Sequence, residues 1–366
     1  MDRIRIGVVG VGQIGKQHLE NYSKIPGAEL AAFCDIDEAE LARVASLYGV
    51  TSTTTNFREL IMRDDIDAVD VCLHNNLHAP VAIAALQAGK HVYCEKPMAG
   101  SYRDAAAMLE AAKSCDRKLH IQLAFLYSRE TRAAKLLIEN GRLGKLYHAR
   151  STGYRRRGRP YVDGYGTLNF VRKDIAAGGA LYDMGVYHIS QLLYLMGMPK
   201  PLRISGKTYQ ETDMDANRRE SGRYDVEELG LGLVRFEGGL TLDIIEAWAI
   251  HLNAFEGSCV VGSKGGIRLE PFSFHTTQDE ILVDSTYNLG NAYTRWHDVH
   301  GSGDVYDSSQ QHWIAVLQGR APLLPTAEIA LQTLLISEGI YLSDSLAREV
   351  SVDEVIKSSV STAVNL

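Results

Sequence analysis

The stretch "IRIGVVGVGQIG" (residues 4–15) decides the fold of the N-terminal part of the chain. Residues 4–9 form a short β-branched run, which then breaks into the pattern Gly-x-Gly-x-x-Gly. A helical pattern follows at residues 13–24. The glycine pattern alone is weak evidence, but a strand before it and a helix after it are typical of a dinucleotide-binding loop.

Each glycine of this loop has a physical task in such a fold. Gly10 permits the tight turn, Gly12 lets the backbone approach a pyrophosphate, and Gly15 lets the helix lie close to the strand. The helix N-terminus, at Gln13 and Ile14, presents free N–H groups and the positive end of the helix dipole. The sequence therefore predicts that these five residues bind the phosphates of a dinucleotide cofactor.

An acidic residue follows where such a fold needs one. The apolar run "ELAAFC" (residues 29–34) predicts a second strand, and it ends at Asp35, twenty residues after Gly15. We expect Asp35 to accept hydrogen bonds from the adenosine ribose hydroxyls, with Ile36 beside it in the cofactor site. Because a carboxylate at this position repels a 2′-phosphate, the sequence favours NAD over NADP.

The rest of the chain divides into two regions. Up to about residue 126, short apolar runs alternate with helical patterns, which predicts a parallel, doubly wound sheet. From residue 200 to about 283, extended runs are separated by turn residues, which fits long antiparallel strands. We therefore predict an α/β protein with an N-terminal Rossmann dinucleotide-binding domain at residues 1–126. Residues 127–366 are predicted to form a C-terminal α+β domain with a large, open, mostly antiparallel sheet.

The bulk composition excludes several classes of function. The net charge of −7 and the pI of about 6.0 argue against nucleic acid or an anionic membrane as the main partner. Five cysteines without a Cys-x-x-Cys pair predict free thiols in a reducing compartment, hence a cytoplasmic protein, and no metal site. No apolar run reaches roughly 18 residues, so we expect no membrane-spanning segment.

A lysine follows another predicted strand in "HVYCEKPMA" (residues 91–99). In a doubly wound sheet, ligands bind at the carboxyl ends of the strands, so Lys96 and the preceding Glu95 are predicted to lie at the cofactor. Pro97 biases Lys96 toward an extended backbone. A solvated lysine is the default interpretation of such a tripeptide, and its place after the strand favours the functional one.

The stretch "AGGALYDMGVYHIS" (residues 177–190) carries an acid, a phenol and an imidazole close together. In a helix that starts near Asp183, residues four apart share a face, so Asp183 and Tyr187 point the same way. His188 is rotated by about 140° from Asp183 and is predicted to face a neighbouring strand with one hydrogen bond. A one-residue shift in an irregular first turn would instead make His188 the proton-transfer residue.

The segment "GYRRRGRPYVDGYGTLNF" (residues 153–170) admits two interpretations. A run of arginines is usually a solvated basic loop. Alternatively, arginine and tyrosine side chains here bind the hydroxyl, carboxylate or phosphate groups of a substrate. The candidates for substrate binding are Tyr154, Arg156, Arg157 and Asn169.

Taken together, these residues resemble the Gfo/Idh/MocA family, the glucose–fructose oxidoreductase and inositol dehydrogenase group. The resemblance spans nearly the whole chain, through "GVVGVGQIGKQH" (7–18), "VCLHNNLHAPVAIAALQAGKHVYCEKPMA" (71–99), "ENGRLGKLYHAR" (139–150), "GGALYDMGVYHI" (178–189) and "AREVSV" (347–352). It implies a Rossmann domain and a second domain whose exposed sheet face commonly forms a dimer. It also implies NAD(P)-dependent oxidation or reduction at a secondary alcohol of a sugar or cyclitol.

The resemblance assigns roles to individual residues. Lys96 matches the family lysine that touches substrate and nicotinamide ribose, and Asp183 matches the acid that binds substrate. Asn75 and His78 match a loop over the cofactor. Tyr187 stands where the dehydrogenases have a catalytic histidine.

Departures from the family pattern bear on the substrate and the proton-transfer residue. His188 stands where a small residue is usual, Ser190 stands where a second acid is usual, His74 replaces a proline, and Phe125-Leu126 replaces a common arginine pair. Some relatives have tyrosine at the position of Tyr187, so that change is compatible with chemistry there.

The resemblance implies an NAD-dependent enzyme that oxidises a secondary alcohol of a sugar, glycoside or cyclitol. One alternative is an NAD-dependent glycoside hydrolase, which oxidises C3 transiently and forms no net NADH. Another is a non-catalytic NAD(H)-binding regulator, against which the presence of both Lys96 and Asp183 argues. The expected partners are a small sugar or polyol and further copies of the chain, in a homodimer or homotetramer that associates through the C-terminal sheet.

Overall fold

A computed structural model describes residues 3–300 and 303–366. The chain forms two compact units. The first contains Met1–Gln122, Asp304–Glu328 and Ser361–Leu366, and the second contains Leu123–Gly303 and Ile329–Val360. The segments 304–328 and 361–366, which the sequence division placed in the C-terminal domain, thus belong to the first unit.

The first unit is built on a six-stranded sheet in the order β3-β2-β1-β4-β5-β6, with every pair parallel. Its strands are β1 (Ile4–Val9), β2 (Ala28–Cys34), β3 (Thr53–Thr54), β4 (Ala68–Val71), β5 (His91–Cys94) and β6 (Leu119–Ile121). The helices between them are α1 (Gln13–Tyr22), α2 (Glu38–Tyr48), α3 (Phe57–Ile61), α4 (Asn75–Gln87) and α5 (Tyr102–Ser114). This arrangement confirms the predicted doubly wound fold.

Apolar strands buried on both faces explain this sheet, since all four residues of β4 are buried. The helix boundaries follow from their capping residues. Asp37 accepts hydrogen bonds from two backbone N–H groups at the start of α2, and Gly49 ends that helix in the left-handed conformation.

A helix from late in the sequence completes the core of the first unit. Helix α11 (Ser309–Leu317) buries Trp313 and Ile314 in the same apolar cluster as Ile4 and Tyr93. The sequence of α11 predicts a helix, but it does not indicate which sheet that helix packs against. This is why the sequence division assigned it to the other domain.

The second unit is built on a nine-stranded sheet in the order β14-β13-β12-β11-β7-β10-β9-β8-β15. Its strands are β7 (Leu146–Tyr154), β8 (Pro201–Tyr209), β9 (Leu229–Phe236), β10 (Thr241–Ala247), β11 (Cys259–Gly262), β12 (Gly265–Arg268), β13 (Ser273–Gln278), β14 (Ile281–Thr286) and β15 (Val350–Ser351). Within the described ranges, β7 and β10 pair in parallel and the other neighbours are antiparallel. The predicted open, mostly antiparallel sheet is confirmed.

The rest of the second unit includes several helices. They are α6 (Arg129–Glu139), α7 (Lys173–Ala176), α8 (Val186–Leu195), α9 (Ala216–Gly222), α10 (Leu289–Asp298), most of α12 (Thr326–Leu346) and α13 (Val352–Ser358). Gly206 and Gly232 make room for Ile340 of α12, because a Cβ on either glycine would come within 2.6 Å of that side chain. None of the helices in the described part of the chain is both long and apolar enough to cross a membrane.

Candidate active site

The glycine loop of the first unit has the geometry that a dinucleotide needs. Gly10 has φ +96°, and a Cβ there would overlap the carbonyl oxygen of Cys72. A Cβ on Gly15 would overlap the carbonyl oxygen of Gly10, so the helix lies close to the strand. By contrast, no atom lies within 4 Å of the Cβ position of Gly12. The open side at Gly12, just before Gln13 begins α1, fits the approach of a pyrophosphate.

Asp35 is tied to the same loop. Its Oδ2 accepts a hydrogen bond from the backbone N–H of Val11 at 2.8 Å, and its Oδ1 accepts one from Asp37 at 3.0 Å. The neighbouring Ile36 side chain is 90% exposed. A carboxylate and an uncovered apolar side chain at the end of β2 are compatible with an adenosine ribose and ring.

The turn after β5 carries Lys96, which is half-buried. The backbone N–H of Lys96 donates to Glu95 Oε2 at 2.9 Å. His78, fully buried on α4, has its ring nitrogens 2.8 Å from the carbonyl oxygen of Pro97 and 3.0 Å from that of Leu73. His78 therefore braces the two loops that follow β4 and β5, and Asn75 begins α4 at the same edge of the sheet.

The second unit places the predicted acid in an unusual turn. The sequence prediction of a regular helix from about Asp183 is corrected here, because residues Leu181–Gly185 form a π-helical turn and α8 begins at Val186. Glu227 accepts hydrogen bonds from the backbone N–H groups of Gly179 and Leu181, at 2.8 and 2.9 Å, and so fixes the start of the turn. Single π-helical turns of this kind are frequent at functional sites.

Two residues from other segments hold the carboxylate of Asp183. Trp248, which is buried, donates its indole N–H to Asp183 Oδ2 at 2.9 Å. Arg155 Nη1 lies 3.9 Å from the same oxygen. The Arg155 guanidinium also donates to the carbonyl oxygen of Gly158 at 3.1 Å and to the hydroxyl of Tyr165. The indole of Trp248 and the guanidinium of Arg155 thus set the orientation of the Asp183 carboxylate.

Tyr187 and His188 both contact Phe125, and His188 also contacts a neighbouring strand. The Tyr187 ring stacks on Phe125, with 5.1 Å between the centroids. His188 Nδ1 lies 3.0 Å from Oε2 of Glu246 on β10, in agreement with the expected neighbouring strand. Oε1 of the buried Glu246 accepts from Ser151 at 2.7 Å. Burial opposes a charged imidazole, but Glu246 raises the pKa of His188 above its ordinary value.

The side chains of the basic segment at residues 153–170 contact several different parts of the second unit. Tyr154 donates its hydroxyl to the carbonyl oxygen of Asn253 at 3.2 Å, and Arg157 donates to that of Asp213 at 3.0 Å. Arg156 is exposed, and Asn169 lies in the 3₁₀ turn Leu168–Val171. None of these contacts places the four candidates for substrate binding at Asp183.

Arg159 departs from both interpretations of the basic segment. Its side chain is fully buried, 2.9 Å from Asp163 and 2.8 Å from Glu228. A buried guanidinium needs such partners, so Arg159 anchors the segment instead of lying in solvent.

Sequence reasoning missed four residues of this site: Arg155, Trp248, Phe125 and Glu246. Trp248 lies in the core, and its hydrogen bond to Asp183 was not anticipated. A buried indole N–H requires an acceptor, which is the one signal that pointed to such a bond. Glu246, an acid that alternates with apolar residues in "LDIIEAWAI" (residues 242–250), carried a similar signal, since a buried carboxylate needs a partner.

Comparison with known proteins gives the family. Residues 4–123 match the family model described as "Oxidoreductase family, NAD-binding Rossmann fold", and residues 131–268 match the "GFO/IDH/MocA C-terminal domain". The chain belongs to the Gfo/Idh/MocA family. It is an NAD-binding oxidoreductase of that family, so the resemblance drawn from the sequence is confirmed.

Relatives whose names state an activity align with most of this Gfo/Idh/MocA chain. The D-glucoside 3-dehydrogenase of Escherichia coli is 27% identical over 76% of this chain and 81% of its own length. The myo-inositol 2-dehydrogenase of Thermotoga maritima is 28% identical over 96% of this chain and 100% of its own length. A solved levoglucosan dehydrogenase, in complex with NADH and levoglucosan, shares the fold. Its TM-score is 0.77 at 23% identity, over 96% of this chain and 100% of that one.

Proposed function

We propose that this oxidoreductase acts on a secondary alcohol of a sugar, glycoside or cyclitol. One observation carries the proposal: a carboxylate, a phenol and a guanidinium lie at one turn of the second unit. Asp183 and Tyr187 stand four residues apart across that turn, and Arg155 lies 3.9 Å from Asp183. Hydroxyl groups both donate and accept hydrogen bonds, so a carboxylate acceptor beside a guanidinium donor suits a polyol. The glucoside and inositol dehydrogenases among the relatives support the same substrate class.

The first unit supplies the residues that would hold NAD. They are the glycine loop (Gly10, Gly12, Gln13, Ile14 and Gly15) for the phosphates, Asp35 and Ile36 for the adenosine, and the loops with Asn75, His78, Glu95 and Lys96. When bound, NAD supplies the acceptor for the hydride. We expect NAD to bind more tightly than NADP because Asp35 repels a 2′-phosphate. Titration of both into cofactor-free protein checks this, and equal affinities would contradict it.

The alcohol that gives up a hydride must also lose its hydroxyl proton. We assign that proton to Tyr187, which stands four residues after Asp183 and whose ring stacks on Phe125. Asp183, held by Trp248, serves as hydrogen-bond acceptor for a substrate hydroxyl. Lys96 takes part in the proton transfer, and His188 supports Tyr187 from the adjoining position on α8.

Incubation with NAD and a panel of sugars, glycosides and cyclitols, followed by absorbance of NADH, tests this function. We expect Lys96→Ala to lower kcat by about 100-fold or more. Affinity for NAD should stay largely intact, because the glycine loop holds the phosphates. Lys113→Ala, at an exposed position of α5, is the matched control and should keep the normal rate.

The alternatives give other results in the same assay. Conversion of a glycoside without net NADH would indicate NAD-dependent glycoside hydrolysis. Binding of NAD with no conversion of any compound in the panel would indicate a regulator. Normal turnover by Lys96→Ala would contradict the role given to the lysine.

We also propose that the chain forms a homodimer or homotetramer through the outer face of the nine-stranded sheet. The strand register places Leu231, Leu233 and Ile245 on the face opposite to the buried Val234 and Ile244. Apolar side chains on an uncovered sheet face favour association with a like surface. Light scattering at micromolar concentration checks this, and a monomer would contradict it.

A reducing compartment, the cytoplasm, is the proposed location. The five cysteines all lie in described parts of the chain and are free thiols. Three of them, Cys34, Cys72 and Cys94, are buried. Fractionation of the native cells checks the location, and recovery of the protein with secreted material would contradict it.

A further inference from the structure

A buried histidine joins two carboxylates beneath the glycine loop. His18 of α1 has Nδ1 2.9 Å from Asp70 Oδ2, on β4, and Nε2 2.8 Å from Glu95 Oε1, directly after β5. No more than 6% of any of these three side chains is exposed. The imidazole therefore links the ends of two adjacent strands in the interior of the first unit.

Both ring nitrogens of His18 face carboxylate oxygens, and a doubly protonated imidazole can donate to both. Two buried carboxylates without a nearby cation would each carry a large desolvation cost. Burial opposes the charged form of His18, but the Cys72 sulfur that lies 3.2 Å from its Nδ1 and the carboxylate of Asp70 raise its pKa well above the ordinary value. Burial raises the pKa of the Cys72 thiol, so that Cys72 stays neutral and donates to Asp70 Oδ1 at 3.3 Å. Against the effect of burial, His18 lowers the pKa of Glu95.

The cluster reaches Lys96 through the second oxygen of Glu95. While Oε1 of Glu95 faces His18, Oε2 accepts the backbone N–H of Lys96 at 2.9 Å. Both carboxylate oxygens are thus fixed, and the direction in which the chain leaves β5 is fixed with them. An unbroken series of hydrogen bonds runs from Asp70 through His18 and Glu95 to Lys96.

We propose that His18 is a positioning residue for Lys96, whose imidazole clamps Glu95 against Asp70 through its two ring nitrogens. The proposal rests on the proposed function in that Lys96 takes part in the reaction. His18 itself, 2% exposed, acts only through Glu95. Loss of the link to Glu95 lets the turn at Lys96 relax, and a displacement of about 1 Å at a reacting group costs up to about 100-fold in rate.

Two amide variants separate the two halves of the clamp. The shorter amide of His18→Asn reaches toward Asp70 in place of Nδ1 and leaves Glu95 without its donor. The longer amide of His18→Gln reaches toward Glu95 in place of Nε2. We expect His18→Asn to lower kcat about 10- to 100-fold with KM for NAD changed less than about threefold, and His18→Gln to recover most of that loss.

A second measurement does not depend on the substrate. Limited acetylation followed by mass spectrometry gives the reactivity of Lys96 relative to Lys113. In His18→Asn the Lys96 rate should change about threefold or more while the Lys113 rate stays constant, and His18→Gln should return it toward the native value. Val44→Ala, in the same core but away from the turn, controls for general destabilisation.

The outcomes are distinct. An unchanged Lys96 rate in His18→Asn overturns the positioning role, as does an equal change in Val44→Ala at matched thermal stability. A stoichiometric metal ion in the purified protein overturns it too, since His18, Asp70 and Cys72 offer ligand atoms within 4.8 Å of one another. A changed and rescued Lys96 rate in a protein that oxidises no alcohol supports positioning and refutes the proposed function instead.

Discussion

In each unit a histidine contacts a carboxylate on or next to a neighbouring strand. The two histidines differ in the number of ring nitrogens that contact a carboxylate and in the exposed fraction of the side chain. His18 uses both ring nitrogens, toward Asp70 and Glu95, and 2% of its side chain is exposed. His188 contacts Glu246 through Nδ1, and 17% of its side chain is exposed. A histidine enclosed on both sides can hold its neighbours but cannot exchange protons with a ligand. The more exposed one, His188, lies beside Tyr187, the residue to which we assign the substrate proton.

The largest expected effect concerns Tyr187 and its neighbour. Tyr187→Phe should lower kcat by about 100- to 10,000-fold, because the phenol takes the substrate proton. His188→Asn should lower kcat only about tenfold, because the imidazole supports the phenol. Steady-state rates on the substrate found in the panel measure both. Tyr194→Phe removes a phenol hydroxyl elsewhere on α8 and should leave kcat unchanged. The reverse order would make His188 the proton acceptor.

A smaller effect is expected when the pair formed by His188 and Glu246 is forced apart. Gly153 faces this pair, and a Cβ there would overlap both side chains. Gly153→Ala should therefore destabilise the second unit by about 1–3 kcal/mol, as overpacked cores do. At Gly266, in the same sheet, the nearest atom to an added Cβ is 3.6 Å away, so Gly266→Ala is the matched control. Urea unfolding of the two variants measures this loss of stability. Equal midpoints would show that His188 and Glu246 can shift to accommodate the added methyl group.

The smallest effect is a difference in pH dependence. Folding raises the pKa of both histidines, so each contributes stability that is complete below about pH 6.5 and is lost as the pH rises through the folded pKa. The pKa of His18 is raised well above its ordinary value, and that of His188 is raised less. The measured quantity is the free energy of unfolding of the native protein minus that of each variant. As pH rises from about 6 to 9, this difference should disappear first for His188→Asn and later for His18→Asn. Urea midpoints across this range would show the opposite order if His18 were neutral.

The sequence predicted the first unit well because its signals are local. The glycine loop, Asp35 and Lys96 each follow directly from a strand whose end is visible in the sequence, and the structure places each where that strand ends. The clamp of His18 escaped prediction because Glu95 stands 77 residues away, and its partner is fixed only by the order of the strands.

The second unit was harder to predict because its contacts are remote. Trp248 is 65 residues from Asp183. Arg155 approaches Asp183 from the segment directly after β7, where it also donates to Tyr165. The π-helical turn has no sequence signature beyond its glycines. The family pattern located Asp183 and Tyr187, but the residues that aim Asp183 depend on which strands pair.

The order of protein synthesis also bears on how this chain folds. Trp313 of α11 stacks on His120 at 5.7 Å and lies 6.1 Å from Tyr93, so the N-terminal unit cannot close its interior until residue 313 has left the ribosome. By then β7 to β14 of the other unit have already emerged. Domains usually fold in the order in which they are made. Here we expect the part made first to remain an incompletely folded intermediate whose apolar surface is exposed to chaperones. The two units would then complete their folding at nearly the same time.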